Sequence, residues 1–329
     1  MKTDPTPHAL VIQNAVQLGV FEGVPGAVNL RQLRGGPTAF LRFKTWQHLL
    51  INTPDHRFTL AMIDLGYIKT GWLRHIPVHG DSFETTALGP LLPCQVADDL
   101  RDSATSSFRA TSLQIEISHK NPTRHFLRVN SERVQLALEL NGDSISPLAV
   151  CLPLGKKDVM YSQKMPLVAS GQITIDGISN EISPELGHAL IDVHQAYYPH
   201  KTNWRWATAS WRDAKHGLCA FNLTHNQARE PRRYNECALW LGDRLYRLPL
   251  AEFNIGEDPL ATWHIVSEDR SIELRFEPEG MRSDDTRIGP LKSWYLQPWG
   301  RFHGCIKTPC GQSITIDAFG LCEDHRARW

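Results

Sequence analysis

Apolar and polar residues alternate along much of this chain. The clearest runs place apolar residues at every second position, within 113–117, 134–140, 173–175, 272–276 and 314–316. Successive side chains of a β-strand point to opposite faces, so a period of two predicts strands with one buried face.

Short turns separate these runs. They carry glycine and polar residues at Asn141-Gly142-Asp143, Asp176-Gly177, Leu241-Gly242-Asp243, Pro278-Glu279-Gly280 and Cys310-Gly311. Helical periodicity is rare, and the best candidate is a short segment at 94–103. Many short strands with frequent turns favour an all-β sandwich or barrel over a parallel βαβ protein.

The best candidate for a domain boundary lies near residue 170. Residues 153–169 are rich in glycine, lysine, proline and methionine, and a clean strand and turn, GQITIDG, follow at 171–177. We therefore predict an N-terminal domain at 1–170 and a C-terminal domain at 171–329, both built from strands.

Composition narrows the class of protein. The 329 residues include 35 Lys plus Arg and 35 Asp plus Glu, and this zero net charge argues against a nucleic-acid partner. Ten residues are tryptophan, and eight of them lie after residue 200. The seven scattered cysteines and the absence of a signal peptide or a long apolar span predict a cytoplasmic protein without a transmembrane segment. The pattern carries no signal for the oligomeric state.

Common cofactor and hydrolase motifs are missing from the sequence. It contains no G-x-G-x-x-G after a strand, no phosphate-binding G-x-x-x-x-G-K-[ST], no G-x-S-x-G and no H-E-x-x-H. Cys305 and Cys310 lack the spacing of a zinc site. We therefore expect neither an organic cofactor nor a metal.

The densest group of chemically active residues lies between 188 and 211. Asp192 and His194 are two residues apart, so on a strand they share one face, and the carboxylate can orient the imidazole for acid–base work. Trp204 and Trp206 share a face for the same reason and form an apolar wall that can bind a ligand or stabilise a cation. The alternatives are a structural hydrogen bond and core packing, which are the commoner uses of such pairs.

Other candidate residues lie further away in the sequence. Glu236 precedes an apolar strand and is a candidate second carboxylate, with a cap or surface group as the alternative. Arg282 is a candidate to bind an anionic group or to pair with Glu279. In the first half, Trp46 and Tyr67 are candidates to line the same cavity. The C-terminal Glu323 and His325 are expected to complete a polar network or to close the end of a barrel.

A series of ordered motifs carries a family resemblance. They are LRFKTWQHLLI at 41–51, LAMIDLGYI at 60–68, YSQKMPLVASGQITIDG at 161–177, NWRWA at 203–207, GLCAFNL at 217–223, NECAL at 235–239, WHIVSED at 263–269, IELRFEPEGMR at 272–282, WGRFHG at 299–304, CGQSITID at 310–317 and GLCEDHRARW at 320–329. Their order resembles the family known as domain of unknown function 2804 over nearly the whole chain. That family is similar to a wider group with two lipocalin-like barrels, which includes carotenoid hydratases and tocopherol cyclases.

The resemblance implies a fold and a site. The implied fold is all-β, with two lipocalin-like antiparallel β-barrels packed together, few helices, and a ligand cavity within or between them. Asp192 matches an acid that is a plausible proton donor to an alkene in hydratase-like members, and we expect the C-terminal barrel to carry the site. Cys237 stands where the family pattern usually has asparagine after the glutamate, which puts the role of Glu236 in doubt.

Three functions are compatible with the sequence. The first is a cofactor-independent hydratase or cyclase that acts on an apolar, isoprenoid-like or lipid-like substrate in a barrel cavity, with Asp192 as the acid, helped by His194 and Glu236. Donation by Asp192 near pH 7 requires a raised carboxyl pKa. The second is a non-catalytic carrier of a small apolar or weakly polar ligand. The third is a carbohydrate-active enzyme that uses Asp192 and Glu236 as paired carboxylates.

Overall fold

The computed structural model describes residues 3–36, 39–101, 103–288 and 291–328. Two large antiparallel sheets contain most of these residues, and each sheet curls into a barrel-like shape. The helical segments in the described part of the chain are one 3-10 turn at Leu30–Leu33 and one α-helical turn, α1, at Ala39–Arg42. The predicted all-β fold with two barrels and few helices is confirmed.

The first sheet contains the strands from β3 to β16, and a short hairpin of β1 and β2 precedes it. Their bounds are β1 Val11–Ile12, β2 Ala15–Val16, β3 Gly19–Glu22, β4 Phe43–Asn52, β5 His56–Asp64, β6 Lys69–Pro77, β7 Phe83–Gly89, β8 Cys94–Gln95, β9 Ala104–Arg109, β10 Leu113–Asn121, β11 Arg124–Ser131, β12 Val134–Asn141, β13 Leu148–Pro153, β14 Val159–Ile175, β15 Ile178–Ile182 and β16 His188–Tyr197. The strand order runs β7-β6-β5-β4-β16-β14-β12-β11-β10-β9-β8. Strand β16 therefore lies between β14, which shortly precedes it in the chain, and β4, which is far from it in sequence.

The second sheet contains the remaining nine strands in the order β20-β19-β18-β17-β25-β24-β23-β22-β21. Their bounds are β17 Lys201–Asp213, β18 Gly217–Asn226, β19 Ala238–Leu241, β20 Arg244–Arg247, β21 Ala251–Asn254, β22 Trp263–Ser267, β23 Ile272–Ile288, β24 Leu291–Lys307 and β25 Ser313–Arg328. This sheet curls so that one end strand, β21, approaches β17. Arg205 of β17 donates a hydrogen bond to the carbonyl of Phe253 in β21 at 3.0 Å.

Alternation explains how the strands bury their faces. In β10, Leu113, Ile115 and Ile117 are buried while the residues between them are more exposed, and β12 repeats this pattern. The curl of the first sheet brings β6 and β9 together. A Cβ on Gly71 would lie 2.3 Å from the ring of Phe108, so only glycine permits that approach.

The two sheets share an apolar interface. One face of β17 and β18 packs against the first sheet through Trp206 and Ala220, whereas Ala207 and Phe221, one residue further along, fill the interior of the second barrel. Trp240 of β19 joins the interface and donates its indole N–H to the carbonyl of Ser146 at 2.9 Å. Strands β17, β18 and β19 are thus buried on both faces where they meet the first sheet.

The change from one sheet to the other lies between Tyr197 and Lys201. Strand β14 runs through residue 170 without a break, and residues 188–197 belong to the first sheet. The division at 170 remains a prediction about domains, and it does not coincide with the division between the sheets. Within the described residues, no helix is both long enough and apolar enough to cross a membrane.

Candidate active site between the two sheets

A cavity of about 200 Å³ lies between the two sheets. The first sheet contributes residues of β4, β5, β6, β14 and β16 to its walls, and the second sheet contributes residues of β17, β18, β23, β24 and β25. Of the residues predicted from the sequence, it brings together Trp46, Asp192, His194, Trp204, Trp206, Glu236 and Arg282. The site is therefore shared by both sheets and is not enclosed by the C-terminal barrel alone.

Strand register builds the wall from the first sheet. Lys164 of β14 pairs with Asp192 of β16, and Asp192 pairs in turn with His48 of β4. In the next row of the same face, His194 pairs with Trp46. Paired residues of antiparallel strands project from the same face, so these five side chains form one polar and aromatic patch.

The opposite wall comes from the second sheet by the same rule. Trp206 of β17 pairs with Glu323 of β25, and Trp204 pairs with His325. His325 also pairs with Tyr295 of β24. The W-x-W motif and the C-terminal E-x-H therefore meet on one face, and that face is turned toward the first sheet.

A buried cluster of charged groups lies in the cavity. The Lys164 ammonium is 2.6 Å from Asp192 Oδ1 and 3.1 Å from Glu236 Oε2. His194 Nε2 lies 3.2 Å from Asp192 Oδ1 and 3.2 Å from Lys164 Nζ. Ser162 donates a weak hydrogen bond of 3.4 Å to the same Asp192 oxygen. Lys164, which the sequence reasoning did not select, is the centre of this cluster.

The cluster holds Asp192 in its ionised form. Burial opposes ionisation, but the positive charge of Lys164 and the hydrogen bonds outweigh it, so the pKa of Asp192 lies well below its usual value. Burial likewise lowers the pKa of Lys164, but the two carboxylates outweigh it and raise that pKa above the ordinary value. The raised pKa that proton donation requires is thus not found at Asp192.

Glu236 lies in the segment just before β19, and its side chain is 2% exposed. Asn226 of β18 donates to Glu236 Oε1 at 3.0 Å, and Asn222 donates to its backbone carbonyl at 2.7 Å. Cys237 points instead into the interior of the second barrel, where its sulfur contacts the backbone of Thr224. Amides from the neighbouring strand therefore position Glu236, and the residue that follows it has no part in this.

Stacked rings form the other end of the cavity. The Trp46 ring lies 4.5 Å from His194 and 5.7 Å from Trp204, and both pairs are stacked. Tyr198, which follows β16, stacks on Trp46 at 5.7 Å and on Trp204 at 6.0 Å. Trp206 lies beside them and donates its N–H to Asn222 at 2.6 Å. A flat, unsaturated or cationic group can bind against such faces.

Of two further predicted residues, Arg282 lies in the cavity wall and Tyr67 does not. Arg282 lines the cavity and pairs with Glu84 of the first sheet at 3.1 Å instead of with Glu279. Arg74 shares the same carboxylate at 2.8 Å. Tyr67 is not among the residues that line the cavity, and its ring lies 4.2 Å below the ammonium of Lys44.

Two residues of the cavity wall, Lys164 and Tyr295, are not among those predicted from the sequence. Lys164 is the one charged residue in the run VMYSQKMPLVAS, and a lone charge in an otherwise apolar strand was an available signal. Tyr295 donates to Glu323 at 2.9 Å and lines the cavity, but no local pattern marks it.

Comparisons with known proteins agree with the fold. CghA in complex with Sch210972 matches with a TM-score of 0.56 and 10% identity, over 86% of this chain and 87% of that chain. Kievitone hydratase from Nectria haematococca matches with a TM-score of 0.53 and 12% identity, over 85% and 88% of the two chains. At these identities the likeness shows the fold alone, and no curated protein matches the sequence. The family described as Domain of unknown function (DUF2804) matches residues 14–329, and the chain therefore belongs to that family.

Proposed function

We propose that this protein is a hydratase or cyclase that acts on an apolar, unsaturated substrate by acid–base catalysis in the cavity between the sheets. The observation that supports the proposal is that one cavity has both an apolar aromatic wall and a charged, polar wall. A wall of stacked aromatic rings faces a buried cluster of ionisable side chains. An alkene can pack against the rings while the polar cluster holds a nucleophile.

The chemistry follows from this arrangement. Protonation of a carbon–carbon double bond leaves a carbocation, and the faces of Trp46 and Trp204 stabilise positive charge. Capture of the cation by water gives a hydrated product, and capture by a group of the substrate gives a ring. The ionised Asp192, held by Lys164 and contacting His194, is placed to orient the nucleophile and accept its proton. The likeness in fold to kievitone hydratase supports the same class of reaction.

Acid catalysis also needs a group that is protonated near neutral pH and can donate its proton. Asp192 does not meet this condition, because Lys164 lowers its pKa. The role of Asp192 in the proposed mechanism is therefore that of a base, and the acid is a different group.

A non-catalytic carrier is the second candidate, and one observation favours it. Asp192 is engaged by Lys164, His194 and Ser162 together, as a purely structural carboxylate would be. The carbohydrate enzyme has less support, because the Lys164 ammonium contacts both Asp192 and Glu236 and occupies the space between them. A glycosidic bond needs that space for itself.

The experiment begins with native mass spectrometry of gently purified protein, which identifies a bound small molecule. The protein is then incubated in H₂¹⁸O with the unsaturated form of that molecule. A hydratase product gains the mass of one labelled water, and a cyclase product keeps its mass but changes its chromatographic retention.

Asp192→Asn should lose turnover by at least about 100-fold while the small molecule still binds. Asp317→Asn, an exposed carboxylate on the outside of the second sheet, serves as the matched control. If the wild-type protein binds the molecule and never converts it, the carrier replaces the enzyme.

A further inference from the structure

Two carboxyl groups face the cavity from opposite sheets, and their surroundings differ in kind. Asp192 comes from the first sheet and lies against the Lys164 ammonium. Glu323 comes from the second sheet, is 7% exposed, and lines the same cavity. In the part of the chain that the structure describes, the hydrogen bonds to its carboxyl come from neutral donors. They are Trp204 Nε1 at 2.5 Å, Tyr295 Oη at 2.9 Å and Gln297 Nε2 at 3.4 Å.

These surroundings favour the protonated form of Glu323. Burial raises the pKa of Glu323 to about 7, and the negative charge of Asp192 adds to this effect. The hydrogen bonds from Trp204, Tyr295 and Gln297 act in the opposite direction, but burial outweighs them. Two carboxyls in one site whose environments separate their pKa values are the usual arrangement of an acid and a base.

We propose that the carboxyl of Glu323 is the acid that protonates the substrate, and that ionised Asp192 on the opposite wall is its complementary base. The inference rests on the acid–base function proposed above and assigns its missing acid. Trp204 joins the two parts of the site, because its indole N–H holds Glu323 while its ring belongs to the stacked wall. The Glu323 carboxyl is thereby held beside the surface against which a double bond would pack.

The hydration step balances without any oxidant or further reactant. The O–H bond of Glu323 breaks, and its proton forms a new C–H bond with the electron pair of the double bond. A lone pair of water forms the C–O bond to the resulting cation, and the water proton passes to the Asp192 carboxylate. Asp192 then returns a proton to solvent and Glu323 takes one up, so the net change is the addition of one water molecule to the alkene.

The proposal makes the reaction depend on pH near neutrality. The rate should fall as the pH rises through about 7, because the protonated fraction of Glu323 disappears. The titratable and charged groups that line the cavity around it come from several elements, and they are His48, Lys164, Asp192, His194, Tyr198, Glu236, Arg282, Asp284, Tyr295 and His325. The pKa of Tyr198 and that of Tyr295 are raised by burial, and burial lowers the pKa of His325 to about 3. These three groups keep one protonation state across neutral pH.

The test uses the full-length protein and geranylgeraniol, an acyclic isoprenoid alcohol, as the probe in D₂O. The wild type should place one solvent deuterium on a carbon atom of the product. Glu323→Gln should lower that rate by at least about 100-fold, while binding of the probe, followed by tryptophan quenching, changes less than about twofold. Glu273→Gln, an exposed glutamate of β23, is the matched control and should keep the wild-type rate.

A second variant tests the inference independently, in case Glu323→Gln does not fold. Tyr295 donates a hydrogen bond that favours ionised Glu323, so Tyr295→Phe should raise the pKa of Glu323 and move the alkaline limb of the rate profile to higher pH. A merely structural Glu323 leaves the limb in place. Turnover that survives in Glu323→Gln, or an alkaline limb unmoved in Tyr295→Phe, overturns the inference alone. If the wild-type protein incorporates no deuterium, the proposed function fails and the inference fails with it.

Discussion

The buried ammonium of Lys164 allows a direct test of the electrostatic interactions in the site. Replacing it in Lys164→Met keeps a long apolar stem and removes the charge. The side chain of Lys164 is 4% exposed and those of Asp192 and Glu236 are 12% and 2% exposed, so bulk solvent replaces the lost partner poorly. Breaking a buried ion pair by removing one member costs about 3–5 kcal/mol.

The sign of the pH dependence follows from the pKa of Asp192. In the wild type that pKa is depressed, so the stabilisation is complete above the unfolded value of about 4 and is lost as the pH falls below it. In Lys164→Met, burial is no longer opposed by the ammonium and raises the pKa of Asp192. Ionisation then destabilises the folded state, so the difference between the two proteins should grow from about pH 4 to pH 8.

Urea unfolding followed by tryptophan fluorescence measures the difference at each pH. With an m-value of about 3 kcal/mol/M, the midpoint of Lys164→Met should fall by about 1 M or more at pH 8. The double variant Lys164→Met/Asp192→Asn should recover part of the loss, because it removes the unpaired carboxylate. Lys307→Met removes an exposed lysine of β24 and should change the midpoint little. A loss below about 1 kcal/mol, or one that stays constant with pH, refutes the reasoning.

Three further outcomes follow from the structure. Burial lowers the pKa of His119 to about 3 and that of His125 to about 4, so the folded state should lose stability as the pH falls below about 6.5, and the His119→Gln/His125→Gln variant should flatten this loss in acid unfolding curves. Arg282→Gln and Glu84→Gln should show a coupling free energy of about 1 kcal/mol or more in a double-mutant cycle, and additive effects would contradict a shared ion pair. Trp46→Leu should weaken binding of the dye 8-anilinonaphthalene-1-sulfonate about tenfold by fluorescence titration, whereas an unchanged Kd would place the dye away from the aromatic wall.

The sequence predicts the parts of this fold that depend on local periodicity. Alternation identified strands such as β10 and β12, and the spacing of Asp192 and His194 placed both on one face, where they are in contact. The same spacing of two residues places Trp204 and Trp206 together on one face of β17. Each of these features depends on residues two positions apart in one strand, so the sequence of that strand is enough to predict which side chains share a face.

The remaining features depend on pairing between distant segments. Lys164 contacts Asp192 because β14 pairs with β16 in one particular register. Neither strand's own sequence shows which strand will be its neighbour or in which register they will pair. The sequence predicts a domain boundary near 170, whereas the chain passes from one sheet to the other after Tyr197, because no local signal shows that residues 188–197 pair with β4. The separation of the pKa values of Asp192 and Glu323 has the same origin. Asp192 meets the Lys164 ammonium because β14 pairs with β16, whereas Glu323 meets neutral donors from β17 and β24.

The connection between the sheets has a mechanical consequence. Residues 198–200 join β16 to β17, and the first of them, Tyr198, is 4% exposed and packs its ring beside those of Trp46 and Trp204. The chain thus passes from one sheet to the other through the cavity wall. A change in the relative position of the two sheets would move the Tyr198 ring against Trp46 and Trp204, and the tryptophan emission would report it.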